Sequence, residues 1–365
     1  MVRELGLGGS ERQMAELAMA LDKSEFTAHV GCFHVRGFRG EELRRWGIPI
    51  LPLPVRSLSS SSALQGAWLM GRYIRKHGIQ LVHTFDLPLT CFGVPVARAF
   101  GVNTVLSSQR ADRKLQPRYR MLARLSDRLA DGIIVNCEAM RFHLLQDERV
   151  PEHLIHVCPN WIDTDHFRPM PKLKTGRLSE ASMIIGVVCA LRPEKGLATL
   201  IDAFATIKDV LPGLRLLIVG SGPMREILQT RASEHCLGEQ CIFHEAVADV
   251  MPLLREIDIF VLPSVSEALS NSLMEAMACG LTVVASAVGG NPELVAEGET
   301  GLLFKVGDAD DLARQLRVLI AREGLRRLLS TNAAAFIRAR FRKGISVRRM
   351  EAIYRSFLGS GPGCA

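Results

Sequence analysis

Two glutamates, Glu267 and Glu275, bracket the most informative stretch of the chain, Ser264–Gly280. An apolar run ends in a polar loop that carries Glu267. A helix is predicted to begin near Ser270 or Asn271, both good caps, and to stop at Gly280. Glu267 is thereby expected at the C-terminal edge of a sheet, where open α/β folds bind ligands. Glu275 falls about one turn into the helix, among Leu273, Met274, Ala276 and Met277. A carboxylate in such company must be partnered, because burying it alone is costly. The vicinal hydroxyls of a ribose would offer two donors to its two oxygens; an internal ion pair would serve equally. Arg192 and Lys195, in Leu191-Arg192-Pro193-Glu194-Lys195-Gly196, follow another apolar run. Two cations at the start of a crossover helix suit a diphosphate, and a solvated turn is the alternative.

Glycine turns add to this chemistry. Gly6-Leu7-Gly8-Gly9-Ser10-Glu11-Arg12-Gln13 combines a glycine loop with a predicted capping box, Ser10 with Gln13. Gly8 and Gly9 would let backbone approach an anion at a helix N-terminus, or would simply make a tight turn. Gly220-Ser221-Gly222-Pro223 stands between a strand-like run and a helix, the context in which α/β proteins place phosphates. It lacks the full G-x-G-x-x-G pattern and a clean acidic partner downstream, which argues against a nicotinamide site. A plain tight crossover fits it too.

The elements that must hold these residues alternate from end to end. Strand-like runs are Thr27–Phe33, Ile48–Val55, Ile79–Phe85, Thr104–Ser107, Gly132–Asn136 and Leu154–Cys158, then Met183–Cys189, Leu214–Val219, Cys241–Phe243, Ile257–Leu262 and Thr282–Ala285. Helical patterns separate them. Several runs are apolar at nearly every position, as parallel strands covered on both faces are. Two doubly wound α/β domains are the predicted architecture. Only five residues precede the glycine loop, so only the last part of an opening strand is expected there, as from a chain that starts late. Ser57–Ser62 reads as a flexible loop before a helix over Ala67–Lys76. The tail Gly359–Ala365 is expected to fray.

The composition bounds the rest. The chain has 365 residues, 48% hydrophobic and 23% charged, which excludes a disordered or fibrous protein. No apolar run approaches the ~18–20 residues of a membrane span, and no secretory leader is read at the N-terminus. Nine cysteines lie scattered with no C-x-x-C pair, which points to neither a zinc site nor a disulfide framework and favours the cytoplasm. A net charge of +7 favours anionic partners. Nucleic acid is disfavoured for want of any recognised module. The positive charge crowds one place: Arg110, Arg113, Lys114, Arg118, Arg120, Arg124 and Arg128 are opposed only by Asp112 and Asp127. Met121, Leu122, Leu125 and Leu129 recur there at helical spacing, predicting an amphipathic helix with a basic face. That helix either packs on its sheet through the leucines or attracts anionic headgroups or a phosphate-bearing acceptor.

In their order along the chain these motifs resemble the GT-B retaining glycosyltransferases of the large group 4 family, also called glycosyl transferases group 1. Glu267 and Glu275 match its E-x7-E motif within an E-A-M-A-x-G context, and Pro193–Gly196 its lysine loop. Gly220–Pro223 match its second glycine turn and Gly8–Arg12 its first. Pro159-Asn160-Trp161-Ile162-Asp163 resembles its N-G-I-D hinge, and Ala287–Glu293 its loop after the E-x7-E helix. The resemblance runs from about Gly6 to about Tyr354. Departures are Ala190 where the family has an arginine, Ser107-Ser108-Gln109-Arg110 where it has a histidine, and Trp161 for the hinge glycine.

The resemblance implies an α/β GT-B fold with two Rossmann-like domains facing across a cleft. Residues 1–168 would form the acceptor-side domain, 169–182 a linker and 183–342 the nucleotide-sugar domain. A helix over 343–358 would pack back toward the N-terminal domain, with 359–365 a tail. It also implies sugar transfer from a nucleoside-diphosphate sugar to a glycan or lipid-linked acceptor, with no cofactor and no metal. Glu267, Lys195 and Arg192 would be catalytic, Arg192 substituting for the missing arginine. Gly8, Gly9, Gly222, Val247, Ser270, Asn271, Ser272, Leu273 and Glu275 would bind the donor, Glu275 through its ribose. His83, Gln109 and Arg110 would lie on the acceptor side. A catalytically silent scaffold and a sugar-nucleotide epimerase of the same architecture are the alternatives. The implied location is cytoplasmic, or peripheral on an anionic membrane face.

Overall fold

The computed structural model describes residues 1–359, so the tail expected over 359–365 lies, beyond its first residue, outside the described residues. The chain divides into two compact units, one made of Met1–Asn160 with the stretch from Gly344 onward, the other of Trp161–Lys343.

The first unit contains β1 (Val2–Glu4), β2 (Val30–His34), β3 (Ile50–Pro52), β4 (Leu81–Thr84), β5 (Thr104–Gln109), β6 (Gly132–Val135) and β7 (Ile155–Val157). Two parallel sheets result, β1-β2-β3 and β4-β5-β6-β7. Phe85 N donates to Met1 O at 2.9 Å, so the short opening strand meets the end of β4. β3 is shorter than its apolar run because Pro52 and Pro54 cannot donate to a ladder. Helix Ser61–His77 starts inside the serine run, whose hydroxyls bond one another, Ser57 Oγ to Ser59 Oγ at 2.9 Å. The core here is Val82 and Val105 from the sheet packed with Leu89, Phe92 and Ala97 from helix Leu87–Ala99.

The second unit contains β8 (Met183–Val188), β9 (Leu214–Val219), β10 (Cys241–His244), β11 (Ile259–Leu262), β12 (Thr282–Ser286) and β13 (Leu302–Phe304). They form one parallel sheet in the order β10-β9-β8-β11-β12-β13. Every residue of β8, β11 and β12 is buried, as helices on both faces require. Ile185, Val187, Leu216 and Ile218 pack with Leu200, Ile201 and Phe204 of helix Leu197–Ala205. β11 begins two residues later than its apolar run because the Asp258 carboxylate, not a strand carbonyl, takes the Ile184 N–H at 2.9 Å. β13, only three residues long, gave no strand signal of its own.

The division between units falls at Asn160/Trp161, ahead of the boundary expected at 168. Trp161 and Ile162 are fully buried, and Ile162 N donates to Phe341 O at 2.9 Å within the second unit. The stretch 169–182 is stitched to that unit rather than spanning open solvent. Lys172 Nζ donates to Ile257 O, Lys174 Nζ to Ala181 O at 2.8 Å, and the Thr175 hydroxyl to Glu256. Helix Lys343–Leu358 belongs to the first unit from Gly344 onward, where the Glu351 carboxylate accepts from Asp22 N at 2.9 Å.

Candidate active site

Strands β8 and β11 are neighbours at the point where the strand order of the second unit reverses, so their following loops emerge side by side. Lys195, after β8, donates from Nζ to Glu267 Oε2, after β11, at 2.6 Å. Ser264 Oγ donates to the same oxygen at 3.1 Å. Burial alone would lower the Lys195 ammonium, but the charge and hydrogen bond of Glu267, with Glu194 behind, outweigh it and hold the ammonium above its ordinary value.

Two glycines make this approach sterically feasible. Gly196 has φ +62°, and a Cβ there would lie 2.1 Å from Pro263 O; at Gly289, φ +53°, a Cβ would lie 1.7 Å from Glu267 O. The loop after β12 thus presses on the backbone of Glu267, and Gly290 N donates to Ala268 O at 2.9 Å. Ser264 is the residue that sequence reasoning passed over. Its only signal is its place two positions past the end of an apolar strand.

Helix Asn271–Ala278 begins at Ser270, as expected, and the Ser270 hydroxyl accepts from Leu273 N at 3.3 Å. The cap therefore engages the Leu273 N–H, while Asn271 and Ser272 are half-buried in the first turn. Glu275 is 5% exposed. Arg192 stands more open, its guanidinium 4.0 Å from Glu194. Gly222 at φ +157° brings the turn after β9 against Leu191 O, where a Cβ would lie at 2.4 Å. Ser221 Oγ donates to Glu245 Oε2 at 2.6 Å and Arg225 lies 3.1 Å from Glu245 Oε1. That unforeseen trio ties the glycine turn to the loop after β10, in which Val247 is half-buried. Among the described residues no His, Cys, Asp or Glu cluster is arranged to hold a metal ion.

In the first unit the glycine loop differs from its expected form. Helix Gly9–Ala20 starts with Gly8 as cap, so Ser10 is already inside it and makes no cap. The Glu11 carboxylate folds back over Gly8, where a Cβ would meet Oε2 at 2.1 Å, and burial raises its pKa. His83 is buried with both ring nitrogens engaged, Nδ1 with Tyr354 Oη at 2.7 Å and Nε2 with Ser108 Oγ at 2.8 Å. Gln109 accepts from Arg113 Nε at 3.1 Å. Arg110 lies over the Phe85 ring, 4.9 Å from its centroid, and bonds Asn160; burial lowers it to about 10.

Of the two readings of helix Arg120–Leu129, packing through the predicted apolar face holds only for Leu129, which is half-buried against the core. Its buried residues are Ala123, Ser126 and Asp127, and the face carrying Met121, Leu122 and Leu125 is exposed. Two forces select the small face. Ser126 Oγ donates to Thr90 O at 3.2 Å, and Arg113, itself buried, grips Asp127 through two bonds of 2.6 and 2.8 Å.

Residues 173–336 match the family model of glycosyl transferases group 1, and residues 7–166 match that of glycosyltransferase family 4. The chain is 30% identical over 270 residues to a GDP-mannose-dependent alpha-(1-6)-phosphatidylinositol monomannoside mannosyltransferase of Mycolicibacterium smegmatis, covering 69% of this chain and 70% of that protein. It is 32% identical over 212 residues to the N-acetyl-alpha-D-glucosaminyl L-malate synthase of Bacillus anthracis, covering 57% of this chain. That match spans about half of the relative, 55% of its length. In fold it is similar to Anabaena HepE, solved in complex with UDP, with a TM-score of 0.82 at 21% identity over 97% of this chain and 98% of that one. Two parallel Rossmann-like units, the Lys195–Glu267 pair at a strand-order reversal and these matches lead to one conclusion: the chain belongs to the GT-B glycosyltransferases of group 1/family 4.

Proposed function

We propose that this chain moves a sugar from a nucleoside-diphosphate sugar to a glycan or lipid-linked acceptor, with retention at the anomeric carbon. The observation that carries the reading is the Lys195–Glu267 pair at the sheet's reversal point, beside a capped helix N-terminus and the buried Glu275. As the anomeric C–O bond breaks, the sugar tends to an oxocarbenium ion and the departing diphosphate gathers negative charge. Lys195, with Arg192 swinging in from its exposed position, would meet that charge. Backbone N–H groups at the start of helix Asn271–Ala278 add the positive end of its dipole. Fixed groups of this kind contribute roughly 3–4 kcal/mol each in a preorganised site. They would do here what a divalent cation does elsewhere, so no metal or cofactor is invoked. Glu267 would face the positive charge on the sugar and Glu275 the ribose hydroxyls. Gly222 and Val247 would border the nucleotide.

The mycobacterial relative's GDP-mannose dependence and lipid acceptor support this donor and acceptor class. No helix among the described residues is long and apolar enough to cross a membrane; the cytoplasmic side is proposed from the scattered cysteines with no C-x-x-C pair. The test is incubation of the purified chain with radiolabelled UDP- and GDP-sugars, with and without a membrane lipid extract. Label transferred only when the extract is present supports the reading. Product without extract would indicate an epimerase, and nucleotide binding without any product a silent scaffold.

A further inference from the structure

Behind Glu267 the second unit holds three fully buried polar side chains that have been given no part in the reaction, Ser264, Ser286 and Asn291. They come from the loop after β11, the last residue of β12 and the first position of helix Asn291–Leu294. Asn291 Nδ2 donates to Ser286 O at 3.0 Å and to Ser286 Oγ at 3.4 Å. Ser286 Oγ donates to Ser264 O at 2.5 Å, and Ser264 Oγ to Glu267 Oε2 at 3.1 Å. The direction is forced, because a carbonyl and a carboxylate only accept. Asn291 thus braces Ser286, Ser286 braces the backbone of Ser264, and Ser264 reaches the carboxylate.

Stability does not account for this line. Asn291 Oδ1 is buried with no hydrogen-bond partner among the described residues, a penalty that a leucine of similar size would not carry. Ser286 O already holds the Val288 N–H at 2.8 Å, so it would stay paired without the amide. The far end of the line is one-sided as well. Lys195 Nζ and Ser264 Oγ both donate to Oε2 of Glu267. Oε1 has no partner among the described residues, and the Glu267 side chain is 13% exposed. One oxygen is anchored and the other is uncommitted.

The reaction asks Lys195 to leave this carboxylate. An ammonium that meets the charge gathering on a diphosphate cannot keep its 2.6 Å bond to Oε2 in full. A carboxylate that loses its cation in so enclosed a place turns away or takes up a proton. We propose that Ser264 is a positioning residue: its hydroxyl, braced by Ser286 and Asn291, holds Glu267 Oε2 while Lys195 turns to the diphosphate, so that Oε1 stays toward the sugar. This rests on the transfer reaction proposed above and names residues that serve it without touching substrate. A hydroxyl suits the task because it carries no charge. It orients the carboxylate yet leaves the negative charge to face the oxocarbenium ion, which a second cation would cancel.

The experiment is transfer kinetics of the full chain with radiolabelled UDP-glucose and GDP-mannose and a membrane lipid extract, alongside calorimetric titration with UDP and GDP. Ser264→Ala should lower kcat roughly 10- to 100-fold, the worth of one hydrogen bond to a charged group. Donor KM and nucleotide Kd should stay within about 2-fold of the parent, since the bond acts on the reacting geometry alone. Asn291→Leu should lower kcat about 3- to 10-fold, with a Tm no lower than the parent's. In a Glu267→Gln background Ser264→Ala should cost less than about 2-fold more, because it works through that carboxylate. An undiminished kcat in Ser264→Ala, the same loss in the Glu267→Gln background, or nucleotide affinity falling in step would overturn the positioning role. If Ser264→Ala does not fold, Asn291→Leu decides: Tm and kcat falling together would mark a structural prop and overturn the proposal. A parent that binds UDP or GDP and transfers no label would overturn the transfer reading, and this proposal with it. An active parent matched by Ser264→Ala removes the proposal alone.

Discussion

Lys195 and Glu267 stand 72 positions apart in the chain, yet their charged atoms lie 2.6 Å apart. The contact exists because two neighbouring parallel strands end together, and because neither Gly196 nor Gly289 has a side chain to hold the loops apart. Lys195→Ala should lower kcat by about 100- to 1000-fold, the usual cost of losing one preorganised charge. The sign of its pH dependence follows from the raised ammonium pKa. The pair's stabilisation is fully present below about pH 10.5, the lysine's unfolded value, and is lost only as pH rises through the higher folded value. Activity loss at neutral pH in this variant thus reports chemistry rather than titration. Wild-type turnover in Lys195→Ala would remove the lysine from the reaction.

Gly289→Ala tests the loop that backs Glu267. The backbone there is at φ +53°, and the new methyl would stand 1.7 Å from Glu267 O, so the loop has to move. Left-handed strain alone costs of order 1–2 kcal/mol. We expect a Tm lowered by several degrees and a loss of turnover beyond what the stability loss explains. Gly298→Ala, with φ +73° but open space around its Cβ, is the control for strain without collision. Equal effects from both substitutions would show that Glu267 does not depend on the packed glycine.

The strand-and-helix alternation was readable because parallel strands buried on both faces are apolar throughout, as Met183–Val188 and Thr282–Ser286 are. The cap at Ser270 and the stop at Gly280 were readable for the same local reason, short polar or glycine residues at a helix end. The capping box at Ser10 failed because Gly8 already supplies the extended cap and Glu11 folds back over it. The orientation of helix Arg120–Leu129 was illegible. Periodicity marks an apolar face but cannot reveal that a buried arginine, Arg113, will draw Asp127 inward and turn Met121, Leu122 and Leu125 out. Nor does any local signal show that His83 is occupied on both nitrogens, since one of its partners is Tyr354, 271 positions away.

Glu275→Gln addresses the donor. Glu275 is 5% exposed, and replacing one of its oxygens by an NH2 turns a two-acceptor head into one acceptor and one donor. Nucleotide affinity by calorimetry should fall about 10- to 100-fold, the worth of one hydrogen bond to a charged group. The circular dichroism spectrum should stay unchanged. Undiminished affinity in a folded variant would leave Glu275 a structural carboxylate and the ribose without an assigned partner.

The buried histidine of the first unit makes the last expectation thermodynamic. Burial, then the chain N-terminus and Arg110, hold His83 well below the ordinary imidazole value of 6.5, so it is neutral in the folded protein. In the unfolded chain the same imidazole takes up a proton as pH falls below 6.5. The unfolded state then binds one more proton than the folded one, so stability is full above pH 6.5 and declines as pH falls toward the folded value. The slope is about 1.4 kcal/mol per pH unit for one such group. His29 and His156 are lowered by burial as well and add to the same slope, so the difference between variants is the quantity to read. His83→Gln keeps a hydrogen-bonding head toward Ser108 but removes the titrating proton. Urea unfolding between pH 5 and 7 should give a shallower pH dependence in His83→Gln than in the parent, even though the variant is less stable at pH 7. Parallel curves would mean that His83 takes up its proton as readily in the folded as in the unfolded chain, and that burial does not hold it neutral.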